Sequence, residues 1–148
     1  MLRFPPPVWM FFFLIVATVV SFVSPWKSLI DLQSIPLGIV FLALGALSAF
    51  WAFGLFAREK TDINPTSPTS RLVVTSGPYR FTRNPMYLGL VLFSTGVAFL
   101  VGSVPFFAVP LLVFAVANGV HIPFEEAKMR RLFGAEYDRY TASVRRWI

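Results

Sequence analysis

Cysteine is absent from the 148 residues, and histidine occurs once, at His121. Disulfides, thiolate metal sites and cysteine nucleophiles are therefore excluded, and no histidine-based metal centre is expected. Charge is also scarce: 14% of residues are charged and 56% are hydrophobic, with 17 phenylalanines. So little charge cannot cover a water-exposed surface, which points to lipid as the solvent. Acidic residues are fewest of all, seven against thirteen Lys and Arg, for a net charge of +6. Such an excess can mark a nucleic-acid binder. No basic run lies on a soluble face here, so the charge reads as anchoring against anionic lipid, and nucleic acid is not expected as a partner.

Four apolar segments are present, at about 8–23, 35–57, 86–101 and 104–122. A helix needs roughly 20 residues to cross the hydrocarbon core, so the first and third require interfacial residues to complete them. The first has only Arg3 before it and Pro25 after it, which suits a span better than a cleaved signal. Lys and Arg set the expected orientation. Lys27 alone lies between the first two segments, whereas Arg58, Lys60, Arg71, Arg80 and Arg83 follow the second and six more basic residues fill the tail. Both termini and the central loop are therefore expected in the cytoplasm. From about 123 to 146, Phe133, Tyr137, Tyr140 and Val144 recur at helical steps among charged residues, as an amphipathic interfacial helix would. The expected fold is an all-α integral membrane domain over residues 1–148. It has about four transmembrane helices, a helical hairpin, a cytoplasmic loop and a C-terminal amphipathic helix.

Polar chemistry gathers in two places. Gly77-Pro78-Tyr79-Arg80 and Arg83-Asn84-Pro85-Met86-Tyr87 precede the third segment, and His121 to Glu126 follows the fourth. Asn84-Pro85 is expected to hold Asn84 extended and start a helix at Pro85 or Met86. The first N–H groups of that helix then lack intrahelical partners and can cradle a polar ligand. Glu125 and Glu126 lie in the first turn of the tail helix, where carboxylates favour the dipole; at most one is expected to face a pocket. His121 precedes Glu125 by one helical turn and can accept a proton.

These motifs resemble the isoprenylcysteine carboxyl methyltransferase and phospholipid methyltransferase superfamily. The resemblance rests on Val74 to Tyr79, Arg83 to Tyr87, Glu125-Glu126, Leu132-Phe133-Gly134, Glu136-Tyr137, Tyr140 and Val144 to Trp147. It implies an integral-membrane enzyme that uses S-adenosyl-L-methionine without a dinucleotide-binding domain. The cofactor would lie at the cytoplasmic side, closed in by the C-terminal segment. It would touch Leu72, Val73, Val74, Tyr79, Asn84, Pro85, Met86, Tyr87 and Glu125. Two departures matter. The family's Arg-His-Pro stands here as Arg83-Asn84-Pro85, and His121 stands where the prenylcysteine enzymes place an arginine four residues before the glutamate.

The expected reaction is methyl transfer to a lipidic or small apolar acceptor from the bilayer, with a carboxylate, amine, thiol or hydroxyl as acceptor group. His121 is the candidate general base or substrate contact, and Arg83 a candidate substrate contact. The expected location is the cell (inner) membrane of a bacterium or archaeon. A non-catalytic membrane protein on the same scaffold is the alternative, and a sterol-reductase-like enzyme a distant third.

Overall fold

The computed structural model describes residues 4–23, 32–58 and 75–148. Among these every regular element is helical: α1 (Pro6–Val23), α2 (Ile35–Arg58), a 3-10 turn (Gly77–Arg80), α3 (Pro85–Val101), α4 (Val104–Val116), a π-helical turn (Ala117–His121), α5 (Ile122–Phe133) and α6 (Ala135–Ser143). Three stretches are long and apolar enough to cross a membrane, namely Pro6–Val23, Ile35–Leu55 and Val104–Phe133, and Pro85–Val101 is a shorter apolar helix. Large apolar side chains stand exposed along α1 and α2, among them Phe11, Ile15, Phe22, Ile39, Leu47 and Phe50. In water such a surface would aggregate; in lipid it is solvated.

Glycines bring α2 and α3 together. Gly38 and Gly45 on one helix, and Gly89 and Gly96 on the other, are each seven residues apart and so share a face. A Cβ added at Gly45 would lie 2.5 Å from Phe93 N, and one at Gly96 2.6 Å from Leu42 N. The two backbones therefore touch without side chains between them, the way small residues pack helices in lipid. Ser34 N–H donates to Phe99 O (2.9 Å), and Ser48 Oγ donates to Pro85 O (2.8 Å), which ties both ends of this antiparallel pair.

Gly102 turns α3 into α4 in the left-handed conformation (φ 72°), with its N–H on Ala98 O at 2.8 Å. Phe99 stacks on Phe41 of α2 and meets Phe107 of α4 edge-on. Met10 and Ala17 of α1 bury against Ala98, Phe106, Val109 and Val113.

The tail differs from the single helix expected over about 123–146. It is two helices, parted at Gly134 (φ 49°, ψ −124°), and α6 ends at Ser143. The missing Cβ permits the break, since few other residues adopt a positive φ without strain. The passage from α4 into α5 is also wider than a regular helix. Pro123 cannot donate to Gly119 O, and its ring crowds that carbonyl. A π turn absorbs the misfit: Ile122 N–H donates to Ala117 O, five residues back. The helix thus continues past Pro123 and carries His121 and Glu125 together.

Candidate active site

Pro85 opens α3, with Asn84 as the last non-helical residue (φ −129°, ψ 53°) and no side chain capping the start. The N–H groups of Met86 and Tyr87 therefore lack an intrahelical acceptor. One turn in, the Tyr87 hydroxyl donates to Glu125 Oε1 at 2.6 Å, a short charge-assisted bond between α3 and α5. The Tyr87 and His121 rings are 6.2 Å apart. Tyr87, Glu125 and His121 thus converge, although 38 residues separate Tyr87 from Glu125. Tyr79 is buried beside Ala52, Leu55 and Met86. The Tyr79–Tyr87 stretch lies at the same end of the bundle as the tail, because Tyr140 Oη donates to Tyr79 O at 2.8 Å. Burial raises Tyr79 and Tyr140 well above the usual phenol range and Tyr137 to about 12. All three stay protonated, and Tyr140 uses its proton on Tyr79 O.

Glu126, next to Glu125, turns elsewhere. It accepts from Arg146 Nε (3.1 Å) and Nη2 (2.6 Å) and pairs with Arg83 Nη2 (3.1 Å). The Glu126 carboxylate and its hydrogen bond hold the Arg146 guanidinium above its ordinary pKa. Arg83, 12% exposed at its side chain, also donates to Thr141 O at 3.3 Å. The chain end is then laid across the turn before α3. Arg83 N–H donates to Arg145 O (3.0 Å), and Arg146 O accepts from Thr82 Oγ1 (3.1 Å) and Asn84 Nδ2 (2.9 Å). Trp147 Nε1 donates to Asn118 Oδ1 at 3.0 Å while its ring lies 4.6 Å from that of Phe114. The result is a strap of Val144 to Ile148, fastened to α3, to the π turn and to α5.

Of the residues singled out in the sequence, Tyr79, Asn84, Pro85, Met86, Tyr87, His121 and Glu125 lie in or beside this region. Leu72, Val73 and Val74 fall outside the described residues. Asn84 and Arg83 spend polar groups on the strap: the Asn84 amide on Arg146 O, the Arg83 guanidinium on Glu126. What sequence reasoning missed is how the strap is fastened: closure by the C-terminal segment came only with the resemblance, and no hydrogen-bond partner was assigned to it. Arg145 and Arg146 read there as topology-setting charges and as part of the family motif, and Asn118 had no role. The one available signal was a second glutamate, Glu126, left without a role beside Glu125 in a chain with an excess of arginines.

A small cavity adjoins the pair, lined by Pro6 and Trp9 of α1, Tyr87 and Leu90 of α3, and Val113, Val116, Ala117 and His121. His121 is buried (4% exposed), and its Nε2 has no hydrogen-bond partner among the described residues; neither does the buried Trp9 Nε1. No group of three or more metal-ligating side chains is present among the described residues.

No curated protein sequence and no solved structure matches the chain. The model of the phospholipid methyltransferase family does, over residues 34–136. That stretch holds α2, α3, α4, α5 and the Tyr87–Glu125 contact, well over half of the chain. The chain therefore belongs to the phospholipid methyltransferase family, whose members' activity implies a membrane methyltransferase.

Proposed function

We propose that the protein transfers a methyl group from S-adenosyl-L-methionine to a lipidic or small apolar acceptor at the cytoplasmic membrane face. The bond from Tyr87 to Glu125 beside the uncapped start of α3 carries this reading. Its donor set suits the cofactor. A carboxylate can take the ribose hydroxyls or the methionine ammonium, free N–H groups can take the methionine carboxylate, and tyrosine faces favour a cationic sulfonium. Tyr79, the Asn84–Tyr87 turn and Glu125 would hold the cofactor, with Leu72 to Val74 extending the same wall. When bound, S-adenosyl-L-methionine supplies a methyl on a sulfonium that leaves as a neutral thioether.

The chain's own contribution is positional. Tyr87 fixes one oxygen of Glu125 and so orients the other. The strap keeps water off the reacting face and sets the angle of α3 against α5. With the electrophile already activated, holding the two reactants in line supplies most of the rate. The acceptor reaches the site from the bilayer, and His121 is placed to contact it or take its proton.

Calorimetry of S-adenosyl-L-methionine binding to the protein in nanodiscs is the test. Binding in the micromolar range that weakens in Tyr87→Phe and Glu125→Ala supports the reading. No binding, or equal binding in both variants, removes the site. Labelled cofactor with a total lipid extract then identifies the methylated product.

A further inference from the structure

The outer side of the turn before α3 bounds a groove of about 670 Å³, lined by Thr75 and Arg80 on one side and by Glu136, Arg139, Tyr140 and Ser143 of α6 on the other. That volume falls within the roughly 300–1,000 Å³ of small-molecule sites. The four α6 residues are spaced i, i+3, i+4 and i+7 and so share one helix face. Tyr140 Oη donates across to Tyr79 O (2.8 Å), which fixes the backbone at Arg80 beside that face. Charge is left uncompensated here. Arg83, Arg130 and Arg146 each have a carboxylate partner. Arg80 has no hydrogen bond or ion pair among the described residues, and Arg139 has only a 3.4 Å bond from Nε to Ala135 O of its own helix. Neither closes on Glu136, although helical residues three apart, as Glu136 and Arg139 are, can pair. Two guanidiniums against one carboxylate leave the groove net positive. Phe81, the next residue after Arg80, is 72% exposed. Such a ring belongs at the acyl edge of a bilayer, which sets the groove at the depth of lipid headgroups.

We propose that this groove binds the phosphodiester of a phospholipid headgroup, at a site separate from the one proposed for methyl transfer. Guanidiniums match phosphate well, because each offers several N–H donors in a fixed fork to its oxygens. A diester has two free oxygens, so Arg80 and Arg139 can each take one without meeting at a single atom. The Thr75 hydroxyl, without a partner among the described residues, is a further donor at the rim. Ser143 is not, since its hydroxyl already donates to Tyr140 O (3.0 Å). One net positive charge matches the single negative charge of a diester. A lipid without phosphate gives the guanidiniums nothing to bind, and a cation meets two of them against one carboxylate. Arg80 and Arg139 have no part in the methyl transfer proposed above, and the groove can hold a lipid whether or not that reaction occurs.

The test uses the full chain in maltoside micelles, which carry no phosphate, with ¹⁵N-labelled arginine and without S-adenosyl-L-methionine. It is titrated in turn with dihexanoyl phosphatidylglycerol, dihexanoylglycerol and inorganic phosphate. Arg80→Gln and Arg139→Gln identify the two Nε–H signals. Both signals should shift with the phospholipid and stay still with dihexanoylglycerol. In each variant the remaining arginine should need about tenfold more lipid for half its shift, because one of two charge-assisted contacts is gone. Arg131→Gln removes the same charge from α5 outside the groove and should change neither titration. Glu136→Gln removes the opposing charge and should tighten binding. Weakening by Arg131→Gln as large as that from the groove arginines would reduce the effect to general surface charge and overturn the proposal. Two arginines that titrate independently of each other would overturn it as well, since they would not share a ligand. Weaker binding in Glu136→Gln would mark a site for cations instead. Equal shifts with inorganic phosphate at the same concentration would give the groove to free phosphate and remove the lipid.

Discussion

Glu125 and Glu126 are neighbours in the chain and do opposite work, because successive helical residues point about 100° apart. Glu125 faces Tyr87 and the proposed ligand; Glu126 is spent on two arginines. Glu125→Gln should therefore leave the melting temperature in detergent nearly unchanged and weaken cofactor binding roughly tenfold or more. Glu126→Gln should do the reverse first. It strips the countercharge from Arg83 and Arg146, and breaking a largely buried pair costs on the order of 3 kcal/mol. A melting temperature unmoved by Glu126→Gln would contradict the ion-pair assignment. At this scale the sequence named the candidate residues Tyr87, His121 and Glu125 but could not choose between the glutamates. The choice depends on how far α5 is rotated about its axis, and the π turn sets that rotation.

The four apolar helices and their order were legible as runs of apolar residues, since a lipid-facing helix announces itself by composition. Their contacts were not. Gly45 and Gly89 meet backbone to backbone, yet in the sequence each is one of nine glycines with no mark of its use. Gly45→Leu should force α2 and α3 apart and cost about 1–3 kcal/mol, as overpacking does. Gly54→Leu, where an added Cβ meets nothing within 4 Å, should cost far less. Thermal unfolding of the two variants side by side measures the difference. The break at Gly134 belongs to the same class. A glycine in a helical pattern weakens a helix, and only the packing of α6 under Tyr79 makes it a stop.

For the whole molecule, the strap ties the chain end across the turn before α3 and, in the proposed function, closes the site. Deleting Val144 to Ile148 removes the hydrogen bonds to Arg83 N–H, Thr82 and Asn84, the Glu126 pair and the Asn118 contact at once. The truncated protein should still insert in membranes, lose cofactor affinity by more than tenfold, and be cut by protease between Thr75 and Pro85. Intact affinity after truncation would show the strap to be ornamental. Orientation is testable because the chain has no cysteine. A single cysteine at the exposed Ala142 should react with an impermeant maleimide only from the cytoplasmic side, and one at Lys27 only from outside.

By itself the sequence determined that this is a membrane protein of apolar helices with two polar clusters at their ends. Those are matters of composition and local turn chemistry, written residue by residue. Tertiary structure alone decided that Tyr87 holds Glu125, that Arg146 belongs to a strap, and that Trp9 and His121 share a recess. Each is a contact between residues far apart in the chain. Such contacts depend on helix rotation, on glycine-scale distances between backbones and on one π turn, none of which leaves a periodic trace in sequence.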